Sequence, residues 1–420
     1  MTDTLKGKRL LLLGGSGWKD SIKAFACAHG IVLVATGNDS SADIFKIAEE
    51  SYNVDSTDHD AMKQLIRDKH IDGVYMGGSE KVISHACHYI NELGLPCYCT
   101  PEQWEALHNK ENFKALCQQF GLPCAKEYYL DSGDINYPVI TKPVDGHSGL
   151  GITICNNVRE LEAGYATACN VSPSGTAIIE QMVYNDSIYA FYTFSNGKAV
   201  LSAMDSKYSV KYTNPDVYVA CLHLFESSQK DDFRRRYEDK LFAMFSHLGI
   251  REGSMWIEVF YHQGHYFFNE PGFRYAGHVS IYPVEYFSGI NQLASDITFA
   301  LTGKSQIHNN MSLFTSAVPR KKFYCMYYMQ LQCGLIESID GVDELRRMSE
   351  CARLTICKNV GDNICGLRTL EQILGSAHLV FDSVEELREI VDRVHRTLHV
   401  TDTDGHEMFI SMIDWKKVII

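Results

Sequence analysis

The first hundred residues alternate continuous apolar runs with segments of helical period. Arg9-Leu-Leu-Leu-Leu13 ends in Gly14-Gly-Ser-Gly17, and Ile31-Val-Leu-Val-Ala35 follows a helical pattern carried by Ile22, Phe25 and Ala26. A third run, Asp72-Gly-Val-Tyr-Met76, stops at Gly77-Gly78, and a fourth is Leu95-Pro-Cys-Tyr-Cys99. Strands that are apolar on both faces and separated by helices imply a parallel sheet covered on both sides. The pattern predicts a doubly wound α/β domain over residues 1–105.

Thereafter the periods change. Thr100-Pro-Glu-Gln103 combines an N-cap, a proline at N1 and a glutamine at N3, a helix start. Asn109 caps a further helix with Lys110, Phe113, Leu116 and Cys117, closed by Gly121. Helical patterns also cover Val158 to Ala168, Asp231 to Leu248 and Asn291 to Thr302. Ala177 to Val183 reads as a buried strand, and Tyr189 to Phe194 with Ala199 to Met204 reads as a hairpin about Asn196-Gly197. Toward the end, Phe323 to Tyr328, Leu354 to Cys357 and His378 to Phe381 look like strands. Ser383-Val-Glu-Glu386 opens another helix as a capping box. These spans predict a middle domain over 106–310 and a small α+β subdomain over 311–420.

Composition narrows the possibilities. A chain of 420 residues exceeds one compact core. Its formal net charge of −13 offers no basic surface for nucleic acid or an anionic membrane. Fourteen cysteines are scattered without a C-x-x-C pair, as expected for reduced thiols rather than for zinc or a disulfide framework. The start leads directly into a strand, and no apolar stretch reaches the roughly 20 residues that span a bilayer. The expectation is a soluble, cytoplasmic protein.

The candidate chemistry begins with a hairpin, Met255-Trp-Ile-Glu-Val-Phe-Tyr261 and His265-Tyr-Phe-Phe-Asn-Glu270. With a three-residue loop Gln263-Gly264-His265, Glu258 and Glu270 become cross-strand partners, their Cβ atoms about 5 Å apart. Two ionised carboxylates at that distance need a cation or a shared proton, and an oxygen-only pair suits Mg²⁺. Asn269, one residue before Glu270, is expected on the opposite face. Upstream, Tyr137-Pro-Val-Ile-Thr-Lys142 runs into Asp145-Gly-His-Ser-Gly-Leu-Gly151, whose glycines let backbone N–H groups converge on an anion; an ordinary hairpin loop is the competing reading. Gly14, Gly15 and Gly17 do not complete a dinucleotide fingerprint, since Asp20 stands where the last glycine belongs. They read as a tight turn serving packing or substrate, and Asp39 as an ordinary loop acid. For a substrate, Glu80 is a candidate amine reader. Tyr208, Tyr212 and Tyr218 with Lys207 and Lys211 suggest a loop over the acceptor, and His278 is a further contact candidate. Each of these also has an ordinary reading as a capping or packing residue.

The order of these pieces resembles the ATP-grasp superfamily, whose members include biotin carboxylase, carbamoyl-phosphate synthetase, D-alanine–D-alanine ligase and the L-amino-acid ligases. Carrying it are Asn109-Lys110 with Phe113-Lys114 and Gly121-Leu-Pro123, then Pro138 to Pro143 with the glycine loop. Ile178 to Val183, Trp256-Ile-Glu258 and Phe268-Asn-Glu-Pro-Gly-Phe-Arg274 complete it. The resemblance implies a pre-ATP-grasp domain, an ATP-grasp fold of two α+β lobes with a lid over about 123–181, and a small C-terminal α+β lobe, the loosest part of the match. It also implies roles. Lys110 and Lys142, with Gly146, Ser148, Gly149 and Gly151, would hold ATP phosphates. Glu180 would take the adenine amino group, with the backbone of Gln181 and Val183 on the ring edge. Glu258 and Glu270 would bind Mg²⁺, for which Mn²⁺ is a substitute, and Arg274 with Lys142 would act on the reacting groups.

Two positions depart from the family pattern. Gly272 stands where an asparagine completes a second metal, and Ser187, beside Asp186, stands where many ligases place a ribose-binding glutamate. The implied reaction is ATP-driven activation of a small-molecule carboxylate as an acyl phosphate, followed by amide formation with an amine. Homodimers are common in the resembling families. The alternatives are a bicarbonate-type carboxylase or carbamoyl-phosphate-forming enzyme, and an inactive ATP-binding regulatory subunit.

Overall fold

A computed structural model describes residues 4–145, 150–183, 186–213, 216–275, 280–309, 322–366, 372–410 and 412–419. Its N-terminal part runs β1 (Arg9–Leu12), α1 (Lys19–His29), β2 (Val32–Thr36), α2 (Asp43–Ile47), β3 (Glu50–Tyr52), α3 (His59–Asp68), β4 (Gly73–Tyr75) and α4 (Glu80–Glu92). The sheet is parallel with order β3-β2-β1-β4. The expected run at Leu95–Cys99 forms no strand. The fourth strand is instead the short, partly exposed Glu50–Tyr52, which bonds alongside β2. Its polar sequence hid it from a search for apolar runs. The glycine turn after β1 serves packing. Gly15 has φ 106°, and the volume a side chain would need is filled by Ile22 and Tyr75.

Two capped helices follow, α5 (Pro101–His108) and α6 (Lys110–Gln119). Thr100 and Gln103 form the full reciprocal box, and Asn109 Oδ1 accepts from Glu111 and Asn112 N–H. The expected lid is a four-stranded antiparallel sheet, order β5-β8-β6-β7, built from β5 (Glu127–Tyr128), β6 (Val139–Pro143), β7 (Thr153–Cys155) and β8 (Ala177–Gln181). Helix α7 (Val158–Val171) covers it through Leu161, packed with Tyr128, Val139, Cys155 and Ile179.

The large sheet contains nine strands. It begins with β9 (Asp186–Ser195), β10 (Lys198–Thr213) and β11 (Asp216–Phe225), followed by α8 (Lys230–His247), β12 (Gly253–His262) and β13 (His265–Gly272). Helices α9 (Ile281–Ser288) and α10 (Gln292–Thr302) come next. The remainder comprises β14 (Phe323–Leu331), β15 (Gly334–Asp340), α11 (Val342–Arg347), β16 (Cys351–Ile356), β17 (Asn363–Ile364), β18 (Ile373–Phe381), α12 (Val384–Thr397), β19 (His399–Asp402) and β20 (Phe409–Ile410). Order along the sheet is β13-β12-β9-β10-β11-β14-β18-β16, with β20 on β14. Sheet bonding thus runs straight through the expected boundary near residue 311. The C-terminal segment still has an apolar core of its own, in which Leu387, Ile390, Val391 and Val394 of α12 pack on Leu379 and Phe381.

One expectation fails here. The stretch from Ser206 to Val219 is no loop over an acceptor: nearly all of it is the paired strands β10 and β11. Tyr208 turns its hydroxyl to the backbone of Ile419, 3.0 Å from its N and 3.2 Å from its O.

Candidate active site

The hairpin β12–β13 carries the acidic pair, and Glu258 and Glu270 are register partners as expected, by a different route. The connection is a two-residue turn, since His262 pairs with His265. Gln263 and Gly264 both have positive φ, 50° and 82°, which a tight hairpin turn of the primed type requires. A register shift between Glu258 and Val259 then restores the pairing of the two glutamates, leaving Asn269 as the extra residue of a β-bulge. The bulge overturns the expected alternation. Asn269 does not point away from the glutamates: its Nδ2 donates to Glu258 Oε2 at 2.8 Å, and its Oδ1 accepts from Lys142 Nζ at 3.1 Å.

The two carboxylates have different surroundings. Glu258 is 6% exposed; its Oε1 accepts from Lys207 Nζ at 2.6 Å and from the Tyr189 hydroxyl at 3.0 Å. Burial works against its charge, but Lys207 and these hydrogen bonds outweigh burial and hold its pKa below the usual range. Glu270 is half-buried, and no donor among the described residues bonds its carboxylate. Burial first, then the charge of Glu258, pushes its pKa up. Such an oxygen-only group beside a second carboxylate fits a hard divalent ion such as Mg²⁺.

Helix α6 and the small antiparallel sheet contribute cations. Lys142, at the end of β6, lies 2.6 Å from Glu180 Oε2 on β8, and Lys114 on α6 holds Glu180 Oε1 and Glu127. All three central groups, Lys114, Lys142 and Glu180, are buried. Burial and the charge of Lys114 lower the Lys142 pKa, while Glu270 and Glu258 oppose them. Lys110 Nζ reaches the carbonyl of Val144 at 3.4 Å, and its charge lies close enough to Glu270 to act on it. Gln181 N–H donates to Lys126 O at 2.8 Å, and Val183 is buried just past the strand. The Glu180 carboxylate is therefore engaged by two lysines, a pairing the sequence reading did not foresee. Gly151 lies within the described residues, whereas Gly146, Ser148 and Gly149 lie outside them, as do His278 and the side chains of Asp186, Lys211, Tyr212 and Tyr218.

Arg274 connects the hairpin to the N-terminal domain. Its Nη2 donates to Glu80 Oε1 at 2.6 Å, its Nη1 to Tyr275 O at 2.8 Å, and its guanidinium lies 5.3 Å from the Trp256 ring. Glu80 opens α4, and the Arg274 charge and hydrogen bond keep its pKa low against burial. Two residues that the sequence offered for separate tasks thus form one ion pair. Trp256 also explains the departure at Gly272. A Cβ at 272 would sit 2.3 Å from Trp256 Cε2, so the indole fills the space an asparagine side chain would occupy. At the other departure, Ser187 is buried and its hydroxyl has no partner among the described residues.

Sequence reasoning missed Tyr189, Asn269 and the role of Lys207. Each depends on cross-strand register: Tyr189 pairs with Glu258 and Lys207 with Ser187, one strand further on. A second buried pair shares this stretch of sheet, His223 Nδ1 at 2.8 Å from Asp205 Oδ2.

A parallel N-terminal sheet, a small antiparallel sheet and a large antiparallel sheet that meet at buried lysines and glutamates define the class: the chain has the ATP-grasp fold. An L-amino acid ligase from Bacillus licheniformis superposes with a TM-score of 0.77 at 19% identity, covering 95% of this chain and 99% of that one. The biotin carboxylase domain of 2-oxoglutarate carboxylase from Hydrogenobacter thermophilus, solved with MgADP and bicarbonate, gives 0.73 at 16%, covering 96% and 91%. In sequence, a formate-dependent phosphoribosylglycinamide formyltransferase from Synechococcus sp. (strain RCC307) is 24% identical over 188 residues, 43% of this chain and 48% of that protein. The chain spans about half the length of the curated relatives it matches. No protein-family model matches the sequence.

Proposed function

We propose that this protein is an ATP- and Mg²⁺-dependent carbon–nitrogen ligase that activates a small-molecule carboxylate as an acyl phosphate, joins it to an amine, and releases ADP and phosphate. The observation that carries this reading is the bridge from lid to hairpin. Lys142 contacts Asn269, and Asn269 contacts Glu258, so cationic and anionic ends face each other across one cleft. Lys110 and Lys142, with the loop of Gly146, Ser148, Gly149 and Gly151, hold phosphate oxygens in this reading. Glu270 and Glu258 form the metal end, and the ion, Mg²⁺ or Mn²⁺ in its place, offsets phosphate charge when bound. Gln181 and Val183 offer backbone groups to an adenine edge. The adenine amino group is left to Glu180 only if its lysines release it.

Arg274 faces the acyl group, where its guanidinium offsets charge developing on the tetrahedral adduct. Glu80, already aligned by Arg274, accepts a hydrogen bond from an incoming amine. The chain's contribution is therefore positioning and fixed charge in a site closed from water. The similar solved structures support this chemistry: one is an L-amino acid ligase, another a phosphoribosylglycinamide synthetase. The reading includes small-molecule substrates, a cytoplasmic location and a homodimer, with no nucleic acid or membrane partner; among the described residues no helix is long and apolar enough to cross a membrane.

The test is a phosphate-release screen, with ADP measured in parallel, over amino acids, amino sugars, uronic acids and polyamines in pairs. Release that requires both a carboxylate and an amine supports the ligase. Release with bicarbonate alone supports the carboxylase alternative. ATP binding without turnover under any pairing points to a regulatory subunit.

A further inference from the structure

The two glutamates of the hairpin are not equivalent, and the difference bears on how many ions the site takes. We propose that the Lys207 ammonium supplies, from within the chain, the positive charge a second divalent cation would bring, so that the nucleotide binds with one tightly held ion. This rests on the ligase reading above.

Three observations support it. First, both oxygens of Glu258 are occupied by donors: Oε1 by Lys207 at 2.6 Å and Tyr189 at 3.0 Å, Oε2 by Asn269 at 2.8 Å. To ligate an ion, Glu258 would have to give up one of them. Asn269 cannot turn its amide oxygen toward an ion at no cost, because its NH₂ faces an acceptor-only carboxylate and its oxygen a donor-only ammonium. Second, the amide ligand expected for a second ion is missing. Gly272 stands in its place and the Trp256 indole fills the volume.

Third, Lys207 is held in position. Its side chain is 17% exposed, its cross-strand register partners on β9 and β11 are Ser187 and His223, and its ammonium is 5.2 Å from the Tyr189 ring. A cation fixed this way gives Glu258 its countercharge without recruiting an ion from solvent. Glu270, with no bonded donor among the described residues, keeps its ligand atoms for the one ion that accompanies phosphate.

The experiment is a Mn²⁺ titration of the full chain, followed by the electron paramagnetic resonance signal of free Mn²⁺, with and without a non-hydrolysable ATP analogue. The wild type is expected to take up one Mn²⁺ per bound analogue. Lys207→Met, which keeps the stem and removes the charge, is expected to take up a second, whereas Lys207→Arg stays at one. The circular dichroism spectrum of each variant controls for folding, and Lys207→Arg retains the buried pair if Lys207→Met does not fold. Two ions of similar affinity in the wild type, or in Lys207→Arg, would overturn the proposal, as would a folded Lys207→Met that still takes one. If the analogue does not bind at all, the ligase reading fails. The metal-only arm then still decides on Lys207, because Lys207→Met must gain a Mn²⁺ site that the wild type lacks.

Discussion

The two ends of the cleft hold charge in opposite ways. At one end, Lys110 and Lys114 of α6 and Lys142 of β6 gather around Glu127 and Glu180, and Glu180 is engaged by two ammonium groups. On the hairpin, Glu258 and Glu270 outnumber their one lysine, and it is Glu270 that is left without a bonded donor among the described residues. One end gathers cations, the other carboxylates. Asn269 bonds to both, through Lys142 and Glu258. The proposed ligand, a polyphosphate with its divalent ion, would engage both ends at once.

The largest expected effect comes from neutralising the open carboxylate. Glu270→Gln should lower ATP turnover by on the order of 10²–10³-fold, the usual loss when one preorganised charge contact is removed. The fold, read by near-ultraviolet circular dichroism, should remain. If turnover falls less than about tenfold, the hairpin is not the metal end.

The second prediction sharpens the contrast within the hairpin, because the two carboxylates should affect stability with opposite sign. Glu258→Gln leaves the Lys207 charge without its partner and should cost about 3 kcal/mol, the scale of a broken buried pair. Glu270→Gln should stabilise the ligand-free protein near neutral pH. The folded pKa of Glu270 lies above the ordinary carboxylate value of about 4.3. The folded chain therefore keeps a proton that the unfolded chain has released, and this group's contribution falls as pH rises from about 4 through the raised value. Glu258 behaves inversely: its folded pKa is lowered, so its contribution is present above about pH 4 and is lost as pH falls through the lowered value. Urea midpoints of both variants at pH 5 and pH 8 measure the difference. Equal signs would show that Lys207 does not distinguish the pair.

The outline of this site was legible in sequence because its parts are local. Lys142 ends an apolar strand, Glu258 and Glu270 sit on one hairpin, and the caps at Thr100 and Asn109 are spelled out in consecutive residues. Packing runs were legible for the same reason, as with Leu10 to Leu12 and Val74. What escaped depends on pairings far apart in sequence. The salt bridge from Lys207 to Glu258 spans strands that only register aligns, and the ion pair from Arg274 to Glu80 joins two domains. Alternation of side chains failed at Asn269, where one extra residue turns an outward position inward. The strand at Glu50–Tyr52 was missed because a short edge strand needs no apolar pattern.

The smallest effect concerns Gly272, whose lack of a side chain lets the hairpin carry Trp256 in the place of a second-ion ligand. In Gly272→Ala the new Cβ would meet Trp256 Cε2 at 2.3 Å and Nε1 at 2.4 Å, so the indole must shift. Its other neighbours leave little room, with Tyr189 5.4 Å away between ring centroids and the Arg274 guanidinium 5.3 Å from the ring. Overpacking of this kind costs about 1–3 kcal/mol. The cost should largely vanish when Trp256 is first shortened to leucine, which makes the two positions strongly coupled in a double-mutant cycle on urea stability. Residues in contact couple by about 0.5–3 kcal/mol, and an additive cycle would mean that Gly272 is tolerated for some reason other than the indole. In that case the missing asparagine would say nothing about the metal end, and the asymmetry between Glu258 and Glu270 would rest on Lys207 alone.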